Sequence, residues 1–210
     1  MSGNEGKTRN HFRQTLRQIL KFAVRRDYLN KDHRLAEVLV NEPTNEAAPE
    51  ILTPAQFKKL LNAASPELLP VVALGGFAGI RRAEVLRLRW ADVWRIKGDE
   101  QSPHGYIEVA PEKAKTRARR LIPILPALAA QLAPYKRKKG SVWTGSDHEE
   151  KHAFEMLKKR CGVSGQNLLR HSYASYRLAD AKDAARVALE LGNSQDKLFK
   201  NYNKLVSPKQ

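Results

Sequence analysis

The chain has 210 residues, with 38 Lys and Arg against 22 Asp and Glu and a formal net charge of +16. That length allows one or two domains with a real hydrophobic core, and that charge implies a polyanionic partner, nucleic acid before any other. No run of about 18 apolar residues suggests a membrane span, Met1–Gly6 lacks the apolar core of a secretion signal, and the single Cys161 excludes an internal disulfide and fits a reducing cytoplasm.

The charge is unevenly spread. Residues 1–50 carry net +2, residues 111–140 net +8 and residues 151–210 net +7, so a polyanion is expected to touch the second half most. Residues 1–8 read as unstructured. From Asn10 to Tyr28, the apolar Phe12, Leu16, Ile19, Leu20 and Ala23 recur at helical spacing. On another face Arg9, Arg13, Arg17, Lys21 and Arg25 step by four. Such a stripe is either a solvated helix face or a track for phosphates, and Arg13, Arg17 and Lys21 are the candidate DNA contacts on it. Residues 41–50 hold two prolines and three acids without periodicity and read as a linker, which divides the chain into residues 1–45 and residues 46–210.

The second part opens on a helix with Thr53 as its cap, Pro54 in its first position and Gln56 completing a capping box. Phe57, Leu60, Leu61 and Ala64 should face inward. Ser65-Pro66 opens the next helix by the same device, and its run to Gly79 is apolar nearly all round, which predicts a central element. From Gly79 to Asp92 the chain carries Arg81, Arg82, Arg87 and Arg89 interleaved with Val85, Leu86 and Leu88. A core face and a cationic face on one segment put a guanidinium at the mouth of a site, where its planar fork suits phosphate oxygens.

After Asp92 the pattern changes to two short strands, Tyr106–Val109 and Leu121–Ile124, expected as an antiparallel hairpin. Their connection is strongly basic, and Lys113, Arg117 and Arg119 on it are further candidate DNA contacts. A short helix is predicted from Pro126 to Tyr135, a basic loop at residues 136–139, and helices at about 148–160, 167–180 and 183–191, followed by a segment to Tyr202. The fold class expected is mainly α with a small antiparallel β-sheet, an α+β arrangement.

Several motifs give way to plainer readings. His148-Glu149-Glu150-Lys151-His152 has the spacing of a zinc-protease helix, but its charged interior and the preceding Asp147 fit a solvated helix start. Gly75-Gly76-Phe77-Ala78-Gly79 lacks the Gly-Lys-Ser/Thr of a nucleotide loop and fits close helix packing. Glu84, Asp92 and Glu108 are dispersed and suggest no magnesium site, so nucleic-acid cleavage by this chain is expected to proceed without metal. Asn167 and Arg170, three apart, are expected on one helical face.

The order of the parts is more specific than any one of them. Gly-Ile-Arg-x-x-Glu from Gly79 to Glu84, Trp90-x-Asp92, Lys115-Thr116 in a basic hairpin ending Ile122-Pro123-Ile124, Leu168-Leu169-Arg170-His171, Leu191-Gly192-Asn193-Ser194 and then Tyr202 follow one another. This resembles the tyrosine recombinase (phage-type integrase) family, over about Ile51 to Val206. The resemblance implies a catalytic domain at residues 46–210, with residues 1–45 the truncated end of a core-binding domain and its linker. It implies Arg81 and Arg170 as the two catalytic arginines, Lys115 as the hairpin lysine with Lys113 as its fallback, Glu84 as the acid supporting Arg81, and Tyr202 as the nucleophile. Two positions depart from the family, which commonly has histidine at the place of Asn167 and histidine or tryptophan at the place of Asn193. Asparagine donates a hydrogen bond but does not titrate near neutrality, and His171 is expected to be structural rather than a substitute base.

The activity so implied is site-specific cutting and rejoining of double-stranded DNA through a 3′-phosphotyrosyl link, with no cofactor and no metal. A homo-tetramer on DNA at synapsis is implied, without membrane, in a bacterial or phage cytoplasm. The second reading is a catalytically weakened or inactive DNA-binding relative with a regulatory role.

Overall fold

A computed structural model describes residues 3–30, 34–43, 49–115, 118–136, 139–196 and 198. The chain divides into two units, Met1–Ala47 and Ala48–Gln210. Among the described residues no helix is long and apolar enough to cross a membrane.

The first unit contains helix α1 (Gly3–Arg25) and the single turn α2 (Leu35–Val38). Helix α1 begins well before Asn10, inside the stretch expected to be unstructured, where Glu5 and Lys7 are competent helix formers. Its arginine stripe has an internal use that the spacing did not reveal. Arg9 and Arg13 pair with Glu42 at 3.1 and 2.7 Å, and Arg17 donates to the Leu39 carbonyl and to Asn41 Oδ1. Asn10 adds a reciprocal pair, its Nδ2 donating to the Glu42 carbonyl and its Oδ1 accepting the Glu42 backbone N–H, both at 2.8 Å. Residues 39–42 are thereby strapped to α1, while Lys21 stays exposed.

The second unit is built on a buried helix. Thr53 and Gln56 form the expected capping box at the start of α3 (Pro54–Ala63). Ser65 caps a turn, and α4 (Leu69–Ala78) starts three residues later than the Ser65-Pro66 signal suggested. Pro70, Val71, Val72, Ala73, Leu74, Gly75 and Ala78 are all buried on α4, which makes it the central element its all-round apolarity predicts. Two single turns follow, α5 (Arg82–Val85) and α6 (Trp90–Val93). Strands β1 (Tyr106–Val109) and β2 (Arg120–Pro123) pair antiparallel, with Tyr106 opposite Pro123 and Val109 opposite Arg120. Strand β2 thus begins one residue earlier than expected, which puts Arg120 on the same inward face as Ile122.

Helix α7 (Pro126–Leu132) and a 3₁₀ turn (Ala133–Tyr135) come next, then α8 (Asp147–Cys161), α9 (Leu168–Ala181) and α10 (Ala184–Leu191). The H-E-x-x-H stretch is the start of α8 and is solvated except at Glu150, which is 1% exposed and pairs with Arg82. Ser146 caps that helix, and Glu149 accepts from the Ser146 backbone N–H and hydroxyl at 2.7 and 2.8 Å, while His148 and His152 are exposed. The main core runs from Leu52 to Leu168, and a second cluster of Tyr173, Ala174, Val187, Leu191 and Leu198 joins α9 to α10 and to the chain beyond.

Candidate active site

Arg81 stands just before α5 with an extended backbone (φ −63°, ψ 140°), so its N–H belongs to no helical ladder. Glu84, one turn on, supplies the missing acceptor. One carboxylate oxygen takes the Arg81 backbone N–H at 3.1 Å and the other takes Arg81 Nη1 at 3.0 Å. Glu84 is 1% exposed and receives three further donors: the Lys115 backbone N–H at 3.1 Å, and Nη1 and Nη2 of Arg120 at 3.2 and 2.5 Å. Burial pushes its pKa up, but the hydrogen bond and charge of Arg120, the Lys115 amide and the Arg81 charge outweigh burial and hold it at about 2. That lies below the ordinary 4.5. The carboxylate's contribution to folding is therefore complete above the ordinary value and is lost as pH falls towards 2.

Arg170 sits in the first turn of α9 and is 8% exposed. Its Nη1 donates to the Gly79 carbonyl at 2.5 Å, and its Nη2 to the Leu191 carbonyl at 2.7 Å and to Asn193 Oδ1 at 3.2 Å. Arg81 Nη2 donates to the Gly192 carbonyl at 3.0 Å and to the same Asn193 Oδ1 at 3.1 Å. Asn193 therefore bridges the two guanidiniums. A guanidinium has donors only, so the amide oxygen must face both and the amide NH₂ must point elsewhere.

The carbonyls under this bridge come from two helix ends. Gly79 ends α4 at φ +60°, and Gly192 ends α10 at φ +62°. A Cβ at Gly79 would lie 2.3 Å from Tyr173 Cδ1, so only glycine lets α4 stop there and turn its carbonyl to Arg170. Helices α9 and α10 are locked by a buried cluster in which the Tyr173 hydroxyl donates to Glu190 Oε2 at 2.6 Å and Arg177 donates to both Glu190 oxygens. Burial first, and the Glu190 carboxylate next, push the Tyr173 phenol well above its ordinary range, so it stays protonated.

Lys115 is exposed and lines a cavity of about 780 Å³ with Arg81, Glu84 and Arg87. Asn167 lines a second cavity of about 400 Å³ together with Arg81, Arg170, Gln166 and Lys151. Asn167 stands just before α9 rather than within it, and it lines the same cavity as Arg170. Its φ is +51°, a left-handed conformation that asparagine tolerates, and its carbonyl accepts the His171 N–H at 2.9 Å. His171 is half-buried, and burial first, then the Arg170 charge, push its imidazole below the ordinary 6.5.

Of the other candidates, Lys113 is held against Asp92 at 2.5 Å, whereas Lys115 lines the Arg81 cavity. Arg119 pairs with Glu108 at 2.6 Å, a carboxylate it shares with Arg95. Arg117 and Tyr202 lie outside the described residues. Among the described residues no group of three or more His, Cys, Asp or Glu converges as metal ligands would.

Sequence reasoning missed Arg120, 7% exposed and bonded to Glu84 through both terminal nitrogens. Its signal was strand alternation: a β2 begun at Arg120 puts it in phase with buried Ile122. It also missed the carbonyls of Gly79, Leu191 and Gly192, which no side-chain pattern announces. In chemical terms, two guanidiniums, those of Arg81 and Arg120, share the carboxylate of Glu84, and the Asn193 amide oxygen joins a third, Arg170, to Arg81. The residual positive charge, held on fixed donors, suits a phosphodiester anion and the extra charge it gains when attacked.

No family model and no curated protein matches the chain. Solved structures do match it. A lambda integrase(75-356) dimer bound to a COC′ core site has a TM-score of 0.69 at 17% identity, over 94% of this chain and 74% of that one. XerA recombinase gives 0.59 at 18% identity, over 92% of this chain and 77% of that one. A lambda integrase tetramer bound to a Holliday junction gives 0.65 at 20% identity, over 89% of this chain and 57% of that one. The buried α4, the β1–β2 hairpin and the α9–α10 pair that carry Arg81, Lys115 and Arg170 thus form the fold of the tyrosine recombinase catalytic domain.

Proposed function

We propose that this chain is a site-specific DNA recombinase that cuts and rejoins duplex DNA through a 3′-phosphotyrosyl intermediate, with Tyr202 as nucleophile. The observation that carries this reading is the Asn193 bridge, which fixes Arg81 and Arg170 side by side next to the Lys115 hairpin. In the proposed step the Tyr202 oxygen attacks the scissile phosphorus and its proton passes to solvent. The bond from phosphorus to the 5′ oxygen breaks, and the Lys115 ammonium gives that oxygen a proton. One phosphoester replaces another, so a 5′-hydroxyl reverses the step on a new strand without ATP or a metal. Arg81 and Arg170 neutralise the non-bridging oxygens, where one lost preorganised donor costs roughly 3–4 kcal/mol. The outward NH₂ of Asn193 and the Asn167 amide add donors but carry no proton near neutrality.

Lambda integrase forms a dimer on a core site and a tetramer on a Holliday junction. The same partners are proposed here: double-stranded DNA, and a homo-tetramer at synapsis, in a bacterial or phage setting. Residues 1–45 are assigned to the end of a core-binding domain and residues 46–210 to the catalytic domain. Lys21 and Arg117 are the proposed DNA contacts, joined by Arg13, Arg17, Lys113 and Arg119 where DNA displaces their internal partners. A second reading, a relative that binds DNA without cutting it, is favoured by one observation: the site offers Asn167 and Asn193 where a titrating imidazole is common, and His171 is held neutral.

A trapping assay separates the two. Nicked duplexes carrying candidate attachment sites are incubated with the protein in EDTA and then denatured. A covalent protein–DNA adduct that is lost in Tyr202→Phe is the expected result. Tight binding with no adduct on any site that the protein selects overturns the catalytic reading in favour of the second.

A further inference from the structure

Arg120 has no place in the mechanism above, yet it is among the most buried cations of the chain. It opens β2, faces inward beside Ile122, and gives both terminal nitrogens to Glu84. Its other side packs on the α10 turn. A Cβ built at Gly192 would stand 3.4 Å from Arg120 Cδ and 3.5 Å from its Nη1. Arg120 therefore touches both supports of Arg81, namely the Glu84 carboxylate and the residue whose carbonyl accepts Arg81 Nη2. The same carboxylate takes the Lys115 backbone N–H, so the hairpin that presents the lysine hangs from it as well. Arg120 Nε is buried without a hydrogen-bond partner among the described residues. An unmet buried donor costs free energy that a merely structural apolar residue would avoid, which makes packing alone a poor explanation for arginine here.

We infer that Arg120 is a positioning residue for strand cleavage: it fixes Glu84 so that one carboxylate holds Arg81 and the Lys115 hairpin in register with each other. The inference rests on the recombinase reading for its rate effect, but the linkage itself is independent of that reading. Glu84 meets Arg120 from β2, Arg81 from its own turn and the Lys115 amide from the hairpin. Without Arg120 the carboxylate keeps its burial and loses its strongest partner. Both Arg81 and Lys115 then lose their common anchor, and a displacement of about 1 Å is enough to slow such a step about 100-fold.

Two measurements test this on the full chain. In a ¹³C carboxylate titration of Arg120→Met, the Glu84 midpoint should rise towards the ordinary carboxylate range, and the Arg81 and Lys115 amide resonances should titrate with it. Arg177→Met, which breaks the other buried arginine–carboxylate cluster, should leave these signals in place. A Glu84 midpoint unchanged in Arg120→Met, or amides that do not follow it, overturns the inference. In single-turnover adduct formation, Arg120→Met should cleave about 100-fold more slowly while binding DNA within about threefold of the parent, and Arg120→Lys should recover part of the rate. A rate loss matched by an equal loss of DNA affinity, or no loss, also overturns it. If Arg120→Met does not fold, Arg120→Lys carries both arms with smaller shifts of the same sign. Failure of the unmodified protein to form an adduct refutes the recombinase reading, and the titration still decides the role of Arg120.

Discussion

Asn193 places an uncharged acceptor between two like charges that would otherwise repel. Its Oδ1 lies 3.1 Å from Arg81 Nη2 and 3.2 Å from Arg170 Nη2. A neutral imidazole there would accept with one nitrogen and donate with the other, so asparagine keeps the polarity of the position and gives up its titration. With His171 pushed below its ordinary 6.5 by burial and by Arg170, cleavage by the unmodified protein should be nearly flat from about pH 6.5 to 7.5. Asn193→His should retain cleavage at the upper end and fall as pH drops, because protonation removes the acceptor and sets a third positive charge between the guanidiniums. Single-turnover adduct formation across this range reads the difference. A variant as flat as its parent means that residue 193 does not face the two arginines during the reaction.

At the scale of elements, the site depends on where two helices stop. Helix α4 ends at Gly79 and α10 at Gly192, and the carbonyls released at those ends hold Arg170 and Arg81. Gly79→Ala adds a Cβ to a left-handed backbone and drives it within 2.3 Å of the Tyr173 ring. Strain and overpacking together should cost about 3 kcal/mol of stability. Urea unfolding gives the cost directly, and a loss below about 1 kcal/mol would show that the helix end yields easily. Much of this architecture was legible beforehand. Thr53 with Gln56 announced α3, the all-apolar run announced buried α4, and Gly79 and Gly192 stood where helices end. What stayed hidden was tertiary. The arginine stripe on α1 gave no sign that Arg13 and Arg17 hold residues 39–42. A one-residue difference in the start of β2 decided whether Arg120 read as a hairpin charge or as a buried partner of Glu84. Alternation fixes a strand's two faces only once its first residue is known.

For the whole molecule the governing quantity is charge that remains free to meet a polyanion. Of the net +16, residues 1–50 carry only +2, and several arginines there are already spent on Glu42, Leu39 and Asn41. Lys113 is likewise neutralised by Asp92, and Arg120 by Glu84. Lys136 and Lys139, in contrast, are exposed beside Arg89 and Arg95 on one basin of the second unit. A cation already paired inside the protein releases no counterion from DNA, whereas a free one that reaches a phosphate does. Binding to duplex DNA should therefore weaken steeply with salt, by roughly 10³-fold or more between 50 and 200 mM if about six phosphates are engaged. Lys113→Ala should leave the slope of log affinity against log salt unchanged while lowering thermal stability. Replacing Lys136 and Lys139 together should flatten that slope by about 1 to 2 units. Salt titrations of DNA binding for the three proteins decide it: a flat dependence in the parent removes nucleic acid as the partner, and a shallower slope in Lys113→Ala alone means that DNA draws that lysine away from Asp92.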